Sequence, residues 1–263
     1  AKDFAARVLK AKWQALDNTL TGNVVAQETP YNNKNPTSAR GLAALSMSPL
    51  PIVSYPSLNL TQQIYDINHF SNNVMTEQVA LSIDAYHKPS DKAVNPTINK
   101  TVAKAINSQR SLYQFGKPTT TSYPAALQTI NEWWQTHLST PPPHLTNGSG
   151  LCRDCTISAA NLSELLTYAY VHPSFDAYVN SLGIAGVSGT ILAHSERLPE
   201  SNAIGRAWIK TGTLNNVTSM AGYVKGLSRQ DYVVVGLINN EQALNAYTAR
   251  PVLDAMLDWT ALH

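Results

Sequence analysis

Residues 205–239 read GRAWIKTGTLNNVTSMAGYVKGLSRQDYVVVGLIN, and their pattern decides the fold class. Three short runs, Arg206–Thr213, Ser219–Gly226 and Tyr232–Asn239, are β-branched or aromatic in places and are separated by turn-forming residues. Their spacing predicts an antiparallel meander of three strands. Downstream, roughly Ala243–Leu262 predicts a closing helix, with Val252, Met256 and Trp259 inward and Pro251 either in its first turn or kinking it. Upstream, the apolar period is that of helices. Helices followed by an antiparallel sheet and one closing helix make an α+β fold.

Working back towards the start, Ser158 is a good N-cap for a helix whose stripe is Leu162, Leu165, Leu166 and Ala169. Leu127, Ile130, Trp134 and Leu138 define another, closed by Pro141-Pro142-Pro143. Leu60, Ile64 and Ile67 mark a short helix that ends at a Phe70-Ser71 turn. A further helix begins just after Asn73, with Met75, Val79, Ile83 and Tyr86 on one face. Residues 88–122 give no regular pattern. Thr29–Ser57 is rich in Pro and Asn and reads as an extended loop crossing between domains. Before it, Phe4, Val8, Leu9 and Trp13 fall on a helical period that Asp17-Asn18 stops. The chain therefore divides into residues 1–58 and 59–263.

The 263 residues carry 19 basic and 17 acidic side chains, a formal net charge of +2. That balance gives no electrostatic reason to expect nucleic acid or an anionic membrane as a partner. No run approaches the roughly 18–20 apolar residues needed to span a bilayer. Ala1–Leu16 is amphipathic, unlike a secretory signal, so for an exported protein the signal is expected upstream. Cys152 and Cys155 cannot complete a structural zinc site without two further ligands, and no cofactor or metal is expected. They read either as a local disulfide in an oxidising compartment or as two free thiols.

Two motifs carry chemistry. Lys210-Thr211-Gly212-Thr213 lies on the first strand of the meander. A lysine there supplies positive potential for a carboxylate, and a glycine lets an extended ligand backbone lie against the strand. In isolation the triplet is an ordinary solvated lysine beside a turn. Ser71-Asn72-Asn73 stands at a helix-to-helix corner, where Ser and Asn are also ordinary N-caps. Their order and settings together are far more specific than either alone.

The stretches between them resemble the class C penicillin-binding proteins, the D-alanyl-D-alanine carboxypeptidase/endopeptidases. Asn147-Gly148-Ser149-Gly150-Leu151-Cys152-Arg153-Asp154 is similar to their Gly-Ser-Gly-Leu-Ser-Arg region, with Cys152 in place of the usual serine. Gly183–Thr190, Gly205-Arg206-Ala207 and Ala221-Gly222-Tyr223-Val224 resemble the segments around their Lys-Thr-Gly strand. The resemblance implies a serine β-lactamase/penicillin-binding-protein transpeptidase-like domain over 59–263, with 1–58 as the end of an accessory insert. No serine in the chain begins a Ser-x-x-Lys tetrad, so the domain is expected to be incomplete at its amino end, with the nucleophile and the remaining N-terminal segment upstream.

The resemblance further implies acyl transfer on peptidoglycan stem peptides, acylation by β-lactam antibiotics, and a periplasmic or otherwise extracytoplasmic location. Ser71, Asn73 and Lys210 become the expected catalytic residues. Thr211, Gly212, Thr213 and Arg153 become the expected substrate contacts, Arg153 either gripping a second carboxylate or bonding backbone carbonyls in its own loop. Two other readings stand beside this one: a non-catalytic peptidoglycan-binding or scaffold relative, and a β-lactamase.

Overall fold

The computed structural model describes residues 2–24, 58–87, 122–241 and 248–263. The predicted loop Thr29–Ser57 and nearly all of 88–122 lie outside them. The chain forms two compact units, Ala1–Pro56 and Ser57–His263. In the first, helix α1 (Lys2–Ala15) stops where Asp17 turns left-handed at φ 58° and the Asn18 N–H returns to the Trp13 carbonyl.

The second unit begins with α2 (Leu60–Phe70), held at its start by a capping box in which Asn59 and Gln62 exchange side-chain and backbone bonds. Helix α3 (Asn73–His87) follows after a two-residue corner and packs on α4 (Tyr123–His137). Ser122 caps α4, and Trp134 Nε1 donates to the Thr140 carbonyl just before the proline run. Helix α5 (Ala159–Tyr170) starts from a second capping box, Ser158 with Asn161. Short elements come next: α6 (Phe175–Val179), β1 (Gly183–Ile184), a 3₁₀ turn at Gly189–Ile191 and α7 (His194–Arg197). They are too brief to leave a periodic signal. The meander is β2 (Ala207–Leu214), β3 (Val217–Lys225) and β4 (Asp231–Asn239), closed by α8 (Arg250–Ala261).

The α+β expectation holds: a four-stranded antiparallel sheet in the order β1-β2-β3-β4, with helices on its flanks. Strand alternation divides its side chains between two cores. Ala207, Ile209, Met220, Val224 and Val234 pack with Leu253, Leu257 and Ala261 of α8 on one face. Trp208, Tyr223, Val233 and Val235 pack with Leu166 of α5, Leu182 and α6 on the other. Gly236 is what lets α8 approach: a Cβ there would lie 2.5 Å from Leu253 Cδ2.

The closing helix departs from its sequence reading. It runs from Arg250, with Pro251 in the first turn and no kink. Val252 and Trp259, expected inward, are 60% and 63% exposed, while Leu253 and Leu257 are buried. Bulk was a poor guide here. The buried stripe is Leu253, Leu257 and Ala261, spaced four apart, and Met256 is half-buried at its margin. In α3, likewise, Ile83 faces solvent.

A buried polar tie fixes α8 to the loop before β2. Asp254 accepts a fork from Arg197, Nε at 2.6 Å and Nη2 at 3.0 Å, and a bond from His194 Nδ1 at 2.8 Å. With its proton on Nδ1, His194 accepts at Nε2 from the Ser201 hydroxyl, 2.9 Å away. Burial opposes the Asp254 charge, but the His194 and Arg197 bonds outweigh it and hold the carboxyl below its ordinary value. A carboxyl so depressed stabilises the fold fully above its unfolded pKa, and that contribution fades as pH falls through the folded value. Asp254→Asn is therefore expected to cost about 1–3 kcal/mol in urea unfolding at pH 7. The gap from wild type should stay constant down to about pH 4 and narrow below it; a gap independent of pH to pH 2 would contradict the assignment.

Candidate functional site

The corner between α2 and α3 is built from three polar residues with three separate tasks. Ser71 ends α2 in a left-handed conformation, φ 60° and ψ 55°, its N–H bonded to the Ile67 carbonyl. Asn72, not Ser71, caps α3: its side chain accepts the Met75 N–H at 3.1 Å. Asn73 opens α3 and donates Nδ2 to the Ser149 carbonyl at 2.6 Å. The Ser71 hydroxyl is thus left out of capping and stands exposed.

Two contacts bring this corner to the sheet. Asn68 Nδ2 donates to Ser181 Oγ at 2.8 Å, and the buried His69 ring bonds the Leu182 carbonyl at 3.2 Å. Ser181 and Leu182 lead into β1, which pairs Gly183 with Ile209 and Ile184 with Trp208. Lys210 is the next residue of β2. Its Nζ lies 3.0 Å from Ser71 Oγ and 3.0 Å from the Thr211 carbonyl. Residues 71 and 210, paired only by motif logic in the sequence, are in direct contact. Burial pushes the Lys210 ammonium below its ordinary pKa, and the bonds described for it go to neutral oxygens.

Because β1 begins opposite Ile209, β2 has no strand neighbour on that side from Lys210 onward among the described residues. Thr211 Oγ1 donates to Thr190 Oγ1 at 2.7 Å across this gap, and Thr213 Oγ1 accepts from Arg250 Nη2 at 2.9 Å. The missing side chain of Gly212 has a second reason besides an open edge: a Cβ there would collide with the Ser219 hydroxyl on β3.

The glycine-rich loop supports α3. Asn147 Oδ1 accepts from the Ser149 N–H and hydroxyl, and Ser149 Oγ accepts the Leu151 N–H at 3.0 Å. Gly148 lies so close to Ala80 of α3 that a Cβ would come within 2.5 Å of it. Cys152 and Cys155 form a disulfide, which decides between the two readings of the sequence. Asp154 lies close to both sulfurs, but the bridge consumes the thiolates that a metal ion would need. Arg153, exposed, donates to the Asn215 carbonyl at 2.8 Å, in the tight connection between β2 and β3. Its guanidinium therefore sits on backbone.

Asn68, His69, Ser181 and Arg250 carried no motif signal, since each acts through a contact distant in sequence. The Asp254–His194–Ser201 array has the bonding order of a hydrolytic triad. His194 is fully buried and Ser201 is 7% exposed, its Oγ also accepting the Ala203 N–H, so no substrate reaches it. A cleft of about 480 Å³ between Pro141–Pro143 and the start of α5 is lined by none of Ser71, Asn73 and Lys210. No described helix is long and apolar enough to cross a membrane.

The profile of the D-Ala-D-Ala carboxypeptidase 3 (S13) family matches residues 87–262. Penicillin-binding protein 4 from Haemophilus influenzae, solved with a β-lactam, superposes with a TM-score of 0.56 at 14% identity, over 97% of this chain and 51% of that one. A second structure of that protein gives 0.50 at 16% identity, over 74% of this chain and 39% of the other. A predatory endopeptidase from Bdellovibrio bacteriovorus gives 0.46 at 12% identity, over 76% and 44%. The chain thus spans about half the length of the best-fitting of these structures. No curated protein matches the sequence. Alkylation of the unfolded, unreduced protein should leave the peptide holding Cys152 and Cys155 unmodified, with both residues labelled only after reduction; labelling without reductant would exclude the bridge.

Proposed function

The chain belongs to the D-Ala-D-Ala carboxypeptidase 3 (S13) family, and on that premise we propose that it supplies most of the binding and proton-transfer groups of a serine acyl-transfer site that cleaves peptidoglycan stem peptides. The Lys210–Ser71 contact carries this reading, since it joins the two motifs 139 residues apart. A lysine has no acceptor, so Ser71 Oγ receives the Lys210 bond and its own proton points elsewhere. That is the geometry of a proton relay. Asn73, its amide N–H spent on Ser149, keeps Oδ1 as an acceptor for the amine of the nucleophile's lysine or the peptide N–H of a substrate.

In this reading a serine outside the 263 residues attacks the carbonyl between two D-alanines. The serine's proton passes to the lysine of its own Ser-x-x-Lys motif and on to Ser71. Ser71 hands one to the leaving amine as the C–N bond breaks, and water then hydrolyses the acyl-enzyme. The substrate lies extended along the open edge of β2. Lys210 sets the local field, Thr213 and, once its hydroxyl turns from Thr190, Thr211 bind the terminal carboxylate, and the Thr213 N–H is one oxyanion donor. Arg153, if released from Asn215, grips a further carboxylate on the stem peptide. Residues 1–58 belong to the end of an accessory insert. The disulfide supports an extracytoplasmic, periplasmic location, since such bonds persist in oxidising compartments. β-Lactams acylate the same serine.

Fluorescent penicillin is expected to label the full-length protein covalently. Lys210→Ala should slow labelling by about 10²–10³-fold, the usual cost of one preorganised electrostatic group. A folded full-length protein that takes no label would overturn the acyl-transfer reading in favour of a non-catalytic wall-binding relative. Arg153→Ala should lower turnover of carboxylate-bearing stem peptides more than that of neutral ones; an unchanged ratio would remove Arg153 from the site.

A further inference from the structure

Alternation along β2 turns Thr213 towards the face that carries α8, opposite to Lys210. There the first turn of α8 presents Arg250, which is 9% exposed and donates Nη2 to Thr213 Oγ1 at 2.9 Å. Its place is fixed from several directions. Leu253 and Leu257 are buried against the sheet, and Asp254 is held by Arg197 and His194.

An arginine is an expensive choice here. Burial works against its charge, Arg197 adds like-charge repulsion, and the positive end of the α8 dipole faces it. The nearest compensation, the Asp254 carboxylate, is already engaged by Arg197 and His194. A neutral side chain of similar shape would cost the fold less. What the cation provides is positive potential behind Thr213, and among the described residues the one carboxylate that offsets it, Asp254, is shared with Arg197 and His194.

We propose that Arg250 is a positioning residue for the anionic end of the ligand bound along β2. The guanidinium only donates, so Thr213 Oγ1 is the acceptor of their bond. The hydroxyl proton of Thr213 is then free to turn outward to a carboxylate, with the Arg250 charge behind it. Lys210 reaches the same strand from the opposite face, so the ligand's anion is bracketed by two cations. This rests on the acyl-transfer reading and extends carboxylate recognition to α8, a helix that no motif reaches.

The test compares two substrates on the full-length protein, a peptide ending in D-Ala-D-Ala with a free carboxylate and the same peptide as its terminal amide. In wild type the carboxylate form should have much the higher kcat/KM. R250Q should reduce that preference by about tenfold or more, as expected for loss of a charge-assisted bond. The loss should fall mainly on the carboxylate form, and R250K should recover part of it. T213V should reduce the preference similarly, and R250Q/T213V no further than T213V alone, because Arg250 acts through Thr213. An equal loss on both substrates, or fully additive effects, would reduce Arg250 to a structural residue. If R250Q fails to fold, R250K and T213V preferences both equal to wild type would overturn the proposal. A wild-type protein that cleaves neither peptide and takes no penicillin would instead refute the acyl-transfer reading beneath it.

Discussion

Strand β1 is only two residues long, and the geometry of the candidate site follows from where it starts. Its pairing with Trp208 and Ile209 orders the start of β2 and ends one residue short of Lys210. The segment feeding β1 also holds Ser181 and Leu182, to which Asn68 and His69 of α2 are bonded. One short segment therefore registers the helix corner against the strand and leaves that strand's functional half open. A longer β1 would cover Thr211 and Thr213; without it the corner would have no fixed distance from Lys210.

The two faces of β2 serve different partners. Towards α5 and α2, Lys210 meets the exposed Ser71 hydroxyl at 3.0 Å. Towards α8, Thr213 meets Arg250, and α8 itself is held by a tight apolar approach at Gly236 and by the Asp254 tie. The positions of the polar groups are set by the packing of α2 and α8 against the sheet and the segment that feeds it.

Sequence reading recovered what is local. Apolar spacing placed α2 and α4, and the Ser158 cap placed α5, because both signals lie within a few residues of one another; the caps at Asn59 and Ser122 went unread. The meander was legible because β-branched runs alternate with turn residues such as Asn215-Asn216, where Asn216 takes a positive φ. The inward face of α8 was misread because Trp259 and Val252 were given weight for bulk, whereas the sheet selects Leu253 and Leu257 by spacing. Arg250 was invisible, and Thr190 entered only as the end of a family-like segment, since neither side chain gives a sign of a partner 37 or 21 residues away. The motifs at 71 and 210 escaped that limit through their joint resemblance to a known pattern, not through any local physical signal.

The unpaired half of β2 has a bearing on colloidal behaviour as well as on chemistry. Backbone donors and acceptors exposed along a strand invite any extended polypeptide, including another copy of the same chain, to add to the sheet. Natural edges are guarded by charge, and Lys210 stands at the first unpaired position with a long cationic side chain. Because that side chain is turned to Ser71 and the Thr211 carbonyl, its charge lies close against the strand, where it penalises the approach of an uncharged strand from another copy.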